Sequence, residues 1–377
     1  MIKILFTGGG TGGHIYPILA VVEELQNWSV QNGKKIDLRY LGVPGQYREI
    51  LEENGIGVSK ILSSKLRRYF DLRNIFDFPK FIISFFQAIW KVLWIMPDVL
   101  FSKGGPGALP IVLACRFYRI PVIIHESDAV AGLVNRASAK HAKRIGVSFN
   151  SSISLFGGNV AVVGNPVRPS FFADEKEQIS KESAKKIFGL NEEKPVILII
   201  GGSQGSTRIN DFFLDIVPEL IKDFQIIHQT GWNNFEETKN ELKIIFEKSS
   251  EEEKRRYKLI AYLEKDLKDA YSAADIVVSR AGSGSIFEIA AMGKPSILIP
   301  LPEAASNHQV LNAYEYAKSG ATIVMEESNL TPNVFLNQLK KFFSDPEILR
   351  KMGEAAKNFS RPQAAKTIAE AILELAK

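Results

Sequence analysis

The chain has one cysteine, Cys115, and therefore no internal disulfide, a pattern that fits a reducing compartment. Cys115 sits in an apolar helical run and reads as a small core residue. Five histidines and that cysteine form no cluster with zinc-ligand spacing. No Asp-x-Asp occurs, so a diphosphate held by a metal on such a pair is not expected. Gly-Lys-Ser/Thr is also missing, which excludes a phosphate-loop NTPase. The opening run Met1-Ile2-Lys3-Ile4-Leu5-Phe6 is too short for a secretory leader and turns at once into glycines.

What is present is an ordinary globular composition, 45% hydrophobic and 24% charged over 377 residues, enough for two cores. The net charge of +5 is unevenly placed. Residues 1–168 hold ten Lys and ten Arg against five Asp and six Glu, a balance of +9, which leaves −4 for the remainder. A basic first half implies an anionic surface or substrate on that side. No nucleic-acid recognition motif accompanies it, so nucleic acid is not expected as a partner.

Apolar strands alternate with helical patterns throughout, the signature of parallel sheets covered on both faces. The first half predicts strands at 2–6, 36–41, 98–101, 121–124, 144–147 and 160–163. The second half predicts them at 195–200, 224–228, 257–261, 275–279, 296–299 and 322–325. Residues 165–194, with Pro166, Pro169 and many charges, read as a linker with a solvated helix. The expected architecture is α/β, two Rossmann-like domains whose strand ends present loops to a shared cleft.

The organising stretch is Phe6-Thr7-Gly8-Gly9-Gly10-Thr11-Gly12-Gly13-His14, followed by a helical pattern after Pro17. Glycines there let backbone N–H groups approach a ligand that the positive end of a helix already favours. The spacing Gly8-x-Gly10-x-x-Gly13 also fits a dinucleotide fingerprint, but strand 36–41 ends without the carboxylate that would hold a ribose. An anionic or sugar-like ligand is expected rather than NAD. His14 closes the loop as an imidazole able to take a proton near neutrality.

The same strand–glycine–helix order recurs. Ser102-Lys103-Gly104-Gly105-Pro106-Gly107 follows strand 98–101, with Lys103 either meeting a phosphate or standing on the surface. His125-Glu126-Ser127-Asp128 ends the next strand; His125 reads as a packed histidine or a site group, Asp128 as a helix N-cap or a site group. Gly201-Gly202-Ser203-Gln204-Gly205 follows 195–200, and its Ser203 can donate to a phosphate. Ser279-Arg280-Ala281-Gly282-Ser283-Gly284-Ser285 leads to Glu288, three residues after Ser285 as in a capping box, or placed to accept ribose hydroxyls. Asn307, His308 and Gln309 offer groups suited to sugar hydroxyls.

Residues 79–96 place their polar members (80, 84, 87 and 91) on one stripe of an otherwise apolar, aromatic helix. At about 25 Å it is short for a membrane span, so it is either buried against the sheet or lies on a bilayer surface. Lys65-Leu66-Arg67-Arg68-Tyr69-Phe70 upstream adds cations and rings suited to anionic headgroups, or is a solvated loop.

Taken in order, Gly9-Gly10-Thr11-Gly12-Gly13-His14, His125-Glu126, Gly164-Asn165-Pro166-Val167-Arg168, Gly201-Gly202-Ser203-Gln204-Gly205 and Asn307-His308-Gln309-x-x-Asn312-Ala313 resemble the MurG glycosyltransferases from residue 1 to about 370. The resemblance implies a GT-B fold, divided at 165/166, with the final helix (about 362–377) returning to the first domain. It implies an inverting, metal-independent hexosyltransferase needing no cofactor. The donor would be UDP-N-acetylglucosamine and the acceptor undecaprenyl-diphospho-muramoyl-pentapeptide, at the cytoplasmic face of the plasma membrane. The first domain would take the acceptor and the anionic membrane surface, the second the donor.

On the same resemblance His14 is the catalytic base, and Thr11, Gly12 and Gly13 contact the donor sugar. Arg168 and Ser203 hold the diphosphate side, with Gln204, Ser283, Gly284 and Ser285 lining the donor. Leu263 binds uracil through its backbone, Glu288 the ribose and Gln309 the sugar hydroxyls. Ser127-Asp128 stands where that family usually has Gln-Asn, Pro106 where it has an aromatic and Ser306 where it has Asp, so Asp128 is a departure at a donor contact. The alternatives are a related lipid glycosyltransferase such as one acting on diacylglycerol, a UDP-sugar epimerase or hydrolase, and a nucleotide-sugar-binding protein without turnover.

Overall fold

A computed structural model describes residues 1–62, 73–172, 179–202 and 204–376, with the backbone alone for 73–78. The chain divides into two compact units, Met1–Pro169 with Arg361–Lys377, and Ser170–Ser360. The Lys65-Leu66-Arg67-Arg68-Tyr69-Phe70 run lies outside the described residues.

The first unit runs β1 (Ile2–Thr7), α1 (Gly12–Asn32), β2 (Ile36–Gly42), α2 (Arg48–Glu53), β3 (Gly57–Lys60), α3 (Arg73–Ile95), β4 (Val99–Ser102), α4 (Ala108–Phe117), β5 (Val122–Glu126), α5 (Leu133–Ala139), β6 (Arg144–Val147) and β7 (Val160–Val162). Its seven strands are parallel in the order β3-β2-β1-β4-β5-β6-β7. Ile4, Leu5 and Phe6 of β1 are wholly buried because both faces of the sheet are covered, which is why β1 reads as a continuous apolar run. One face packs Ile4 and Phe6 against Ile18 and Val22 of α1. The other packs Leu5, Leu100 and Ile124 against Ile111, Val112 and Cys115 of α4. Burial pushes the Cys115 thiol up, in keeping with an inert core residue.

The second unit runs α6 (Lys181–Ile187), β8 (Val196–Ile200), α7 (Thr207–Asp223), β9 (Gln225–Gln229), α8 (Phe235–Ile245), α9 (Glu251–Arg255), β10 (Tyr257–Ile260), α10 (Leu267–Ala273), β11 (Ile276–Ser279), α11 (Ser283–Ala291), β12 (Ser296–Leu298), α12 (His308–Ala317), β13 (Thr322–Val324), α13 (Pro332–Ser344) and α14 (Pro346–Phe359). Its parallel sheet has the order β10-β9-β8-β11-β12-β13. One face buries Ile197, Ile199 and Val278 under Phe213 and Val217 of α7 and Phe335 of α13. The last helix, α15 (Ala364–Leu375), packs Ile368 and Ile372 into the α1 side of the first unit's core.

Three expectations change. The edge strand β3 was not legible, because Gly57-Val58-Ser59-Lys60 is short, half-buried and without alternation. Helix α1 starts at Gly12 rather than after Pro17, and Pro17 in its second turn leaves the Gly13 carbonyl without an intrahelical donor. Helix α3, read as buried against the sheet or lying on a bilayer surface, has one buried side and one exposed aromatic side. Ser84, Ala88 and Val92 are wholly buried, whereas Phe86, Trp90 and Trp94 are 64%, 61% and 73% exposed. Two members of the polar stripe are drawn to Leu62: Ser84 Oγ donates to the Leu62 carbonyl at 2.8 Å, and Gln87 Oε1 accepts from its N–H at 3.0 Å, while Lys80 stays exposed. Among the described residues no helix is long and apolar enough to cross a membrane.

Candidate functional site

In each sheet the strand order reverses beside the first strand of the unit, at β1/β4 and at β8/β11. Open parallel sheets bind ligands outside the carboxyl ends of strands at such a switch point. Both pairs of glycine turns lie there.

In the first unit Thr11 takes the N-cap place of α1 in an extended conformation, yet its hydroxyl caps no amide. It stands 2.8 Å from His14 Nδ1 instead. When Nδ1–H donates to that hydroxyl, Nε2 carries the lone pair and is the basic atom. The amides of Gly12 and Gly13 have no acceptor among the described residues, so the positive end of a 21-residue helix faces the switch point. Glycine is required at position 9 because the imidazole lies over it: a Cβ there would stand 2.9 Å from His14 Cε1.

The second turn interlocks with the first. Gly105 has φ +83°, and a Cβ on it would stand 2.8 Å from Gly9 N and 3.0 Å from His14 Nε2. Lys103, before that turn, is neither exposed nor directed to a ligand. It is buried, and its ammonium donates to His125 Nδ1 at 2.6 Å, Ser127 Oγ at 2.6 Å and Asn165 Oδ1 at 3.2 Å. Burial lowers its pKa to about 7, against the pull of Glu126 and Asp128. His125 is a packed histidine: its Nε2–H donates to the Gly164 carbonyl at 2.8 Å, and burial with the Lys103 charge holds its pKa well below the usual value. Glu126 organises the loop into α5, accepting from the N–H groups of Asp128 and Gly132 and from Asn135 Nδ2. Burial and the neighbouring Asp128 raise its pKa. Asp128 is not an N-cap, since Gly132 fills that place for α5. Arg168 lies 5.5 Å from the centroid of Tyr16, on the side of α1.

In the second unit the turn after β8 is pressed against the turn after β9. A Cβ on Gly205, at φ +78°, would stand 2.0 Å from the Thr230 carbonyl oxygen. Ser206 caps α7 and accepts from the Arg280 guanidinium at 2.7 Å. Arg280 is buried and paired with Glu327 at 2.5 Å, and Arg208 joins Glu327 to Glu303. Ser203 lies outside the described residues, and Gln204 is exposed. Helix α11 is capped by Gly282, so Ser283, Gly284 and Ser285 form its first turn. Ser285 is thus inside the helix and the capping-box reading fails. Glu288 stands in the second turn, where its carboxylate accepts from Tyr271 Oη at 3.3 Å.

The Leu263 N–H is engaged by Gln229 Oε1 at 2.9 Å, while Gln229 Nε2 donates to the Gly202 carbonyl at 3.2 Å. That leaves the Leu263 carbonyl as the backbone group it can offer to a base. Gln309 Oε1 accepts from Leu301 N at 3.0 Å, so its Nε2 amide is the part available to a hydroxyl. Gln229 and the Arg280–Glu327 pair escaped the sequence reading; the only signal was a polar pair, His228-Gln229, closing an apolar strand. Among the described residues no group of three His, Cys, Asp or Glu could hold a metal ion.

Comparison with known proteins places this geometry. Residues 4–147 match the glycosyltransferase family 28 N-terminal domain, and residues 196–368 its C-terminal domain. A Clostridium kluyveri protein named UDP-N-acetylglucosamine–N-acetylmuramyl-(pentapeptide) pyrophosphoryl-undecaprenol N-acetylglucosamine transferase is 39% identical, over 90% of this chain and 91% of its own. The crystal structure of Acinetobacter baumannii MurG superimposes with a TM-score of 0.74 at 26% identity, covering 99% of this chain and 100% of that one. A UDP-GlcNAc 2-epimerase from Neisseria meningitidis, bound to UDP-GlcNAc, has a TM-score of 0.68 at 17% identity over 99% and 100% of the two chains, a likeness of fold.

Proposed function

The chain belongs to the MurG transferases of glycosyltransferase family 28, and on that premise we propose how its two units divide the reaction. The enzyme moves N-acetylglucosamine from UDP-N-acetylglucosamine to the 4-hydroxyl of undecaprenyl-diphospho-N-acetylmuramoyl-pentapeptide, lipid I to lipid II. The second unit takes the donor. The Leu263 carbonyl meets the uracil, Glu288 accepts the ribose hydroxyls, and Gln309 donates to a sugar hydroxyl. The first-turn amides of α11, with Gln204 and Ser203, meet the diphosphate, whose charge helix N-termini stabilise.

The first unit takes the acceptor. His14 Nε2 removes the proton of the 4-hydroxyl as its oxygen attacks the anomeric carbon. The new O–C bond forms on the face opposite the departing diphosphate, the bond to the phosphate oxygen breaks, and its electron pair leaves with UDP. The anomeric centre is inverted. Thr11 holds the imidazole, and Gly12 and Gly13 offer their amides to the donor sugar. Asp128, half-exposed at the β5 end, lines the same side. The observation that supports the base assignment is the 2.8 Å contact of Thr11 with His14 Nδ1: with Nδ1–H donating to that hydroxyl, Nε2 is the atom that accepts a proton.

The exposed Phe86, Trp90 and Trp94 of α3, in a half of the chain with a +9 balance, fit a peripheral seat on anionic lipid at the cytoplasmic face of the membrane. Purified protein should release UDP only when UDP-N-acetylglucosamine and the lipid-linked muramoyl acceptor are both supplied. Equal release without acceptor would identify a hydrolase or epimerase instead.

A further inference from the structure

Lys103 is a buried cation of the first unit, and no step of the reaction above uses it. Its backbone N–H donates to the Thr7 carbonyl at 2.9 Å, which ties it to the end of β1. Its ammonium makes one bond to each of three acceptors, on His125, Ser127 and Asn165. The acceptors are themselves fixed: His125 donates to Gly164, and Ser127 Oγ donates to Asn165 Oδ1 at 3.2 Å. Lys103 thus joins β1, the end of β5 and the 164–165 segment that leads to Arg168. Gly8 shows how close this hub stands to the base. A Cβ on Gly8 would lie 3.3 Å from His14 Cβ and 3.5 Å from Lys103 Cβ, so the two side chains flank one glycine. The residues that follow Lys103 are Gly104 and Gly105, both in the left-handed region, and Gly105 abuts His14 Nε2.

We propose that Lys103 is a positioning residue for proton transfer at His14, fastening the second glycine turn against the imidazole; this rests on the assignment of His14 as the base. Three N–H donors match three acceptors only while the amine is protonated. The titratable groups around it are His125, Glu126 and Asp128 at the end of β5 and His14 at the start of α1. Burial brings its proton loss to about 7, so the fastening loosens as pH rises through that value. Turnover therefore carries a falling alkaline limb set by Lys103.

The test is the pH profile of kcat at saturating donor and acceptor for wild type, Lys103→Met and Ser127→Ala. Lys103→Met lowers kcat tenfold or more and abolishes the falling limb, with UDP affinity and melting temperature unchanged. Ser127→Ala removes one acceptor of the ammonium, disfavours its charged form and moves the falling limb to lower pH. If Lys103→Met does not fold, Ser127→Ala decides. NMR of the His14 ring in substrate-free protein gives a readout without turnover: its resonances move in Lys103→Met. A wild type without acceptor-dependent turnover but with that shift defeats the transferase reading and leaves the positioning intact. The proposal is overturned by an unchanged kcat profile in Lys103→Met, an unmoved limb in Ser127→Ala, an unmoved His14 resonance, or a kcat loss that merely tracks loss of UDP affinity and melting.

Discussion

The two units place glycine turns at equivalent points of similar sheets, but they hold them by different chemistry. In the second unit the turns are fastened by neutral groups and a permanent charge pair. Gln229 bridges Leu263 to Gly202, and Arg280, buried against Glu327, reaches Ser206. In the first unit the fastening is ionisable. Lys103, His125 and Glu126 are buried together, and burial shifts the pKa of each toward its neutral form. On the proposed division, a unit that only grips a nucleotide sugar gains from a scaffold whose charge state does not vary, and a unit that moves a proton has its titratable groups beside the proposed base. The exposed aromatic face of α3 belongs to the first unit as well, so the proposed lipid contact and the proposed base fall in the same unit.

Matched glycine substitutions break this comparison most forcefully. Gly205→Ala puts a Cβ 2.0 Å from the Thr230 carbonyl at φ +78°, and is expected to cost about 3 kcal/mol or more and to abolish UDP binding. Gly105→Ala meets Gly9 N at 2.8 Å and His14 Nε2 at 3.0 Å, and should lower turnover while UDP affinity holds. Calorimetric titration with UDP beside urea melts of both variants checks this, and equal loss of UDP affinity in both would erase the distinction. Glu288→Ala comes next. On the proposed ribose contact, removing this carboxylate should weaken UDP binding about tenfold to a hundredfold, with kcat at saturating donor little changed. A larger effect on kcat than on affinity would move Glu288 to the chemical step. Smaller still is the double substitution Trp90→Ser with Trp94→Ser. At 61% and 73% exposure these rings add little to the core, so melting should hold while partition onto anionic liposomes falls about tenfold per ring. A lower melting temperature with unchanged partition would make α3 a core helix.

Much of this was legible in the chain, and the reasons are physical. Strands buried on both faces, such as β1 and β8, show as unbroken apolar runs, and the glycine turns after them stand out because only glycine permits such close approach. Orientation and burial were less accessible. The period of α3 revealed a polar stripe but could not say that Leu62, outside the helix, bonds Ser84 and Gln87 of it. Lys103 read as a phosphate contact or a surface lysine because Asn165, one of its acceptors, lies 62 residues away. Ser285-x-x-Glu288 has the spacing of a cap, yet Gly282 starts the helix, and Gly132 likewise displaces Asp128. Local motifs reported which loops matter; only long-range packing assigned what each side chain in them does.

The most direct test of the division between units is His14→Ala, assayed for acceptor-dependent UDP release and, separately, for UDP binding. The account predicts that turnover falls about 10²–10⁴-fold while the Kd for UDP stays within about twofold of wild type. Full turnover in the variant, or a loss of UDP affinity as large as the loss of rate, would contradict it.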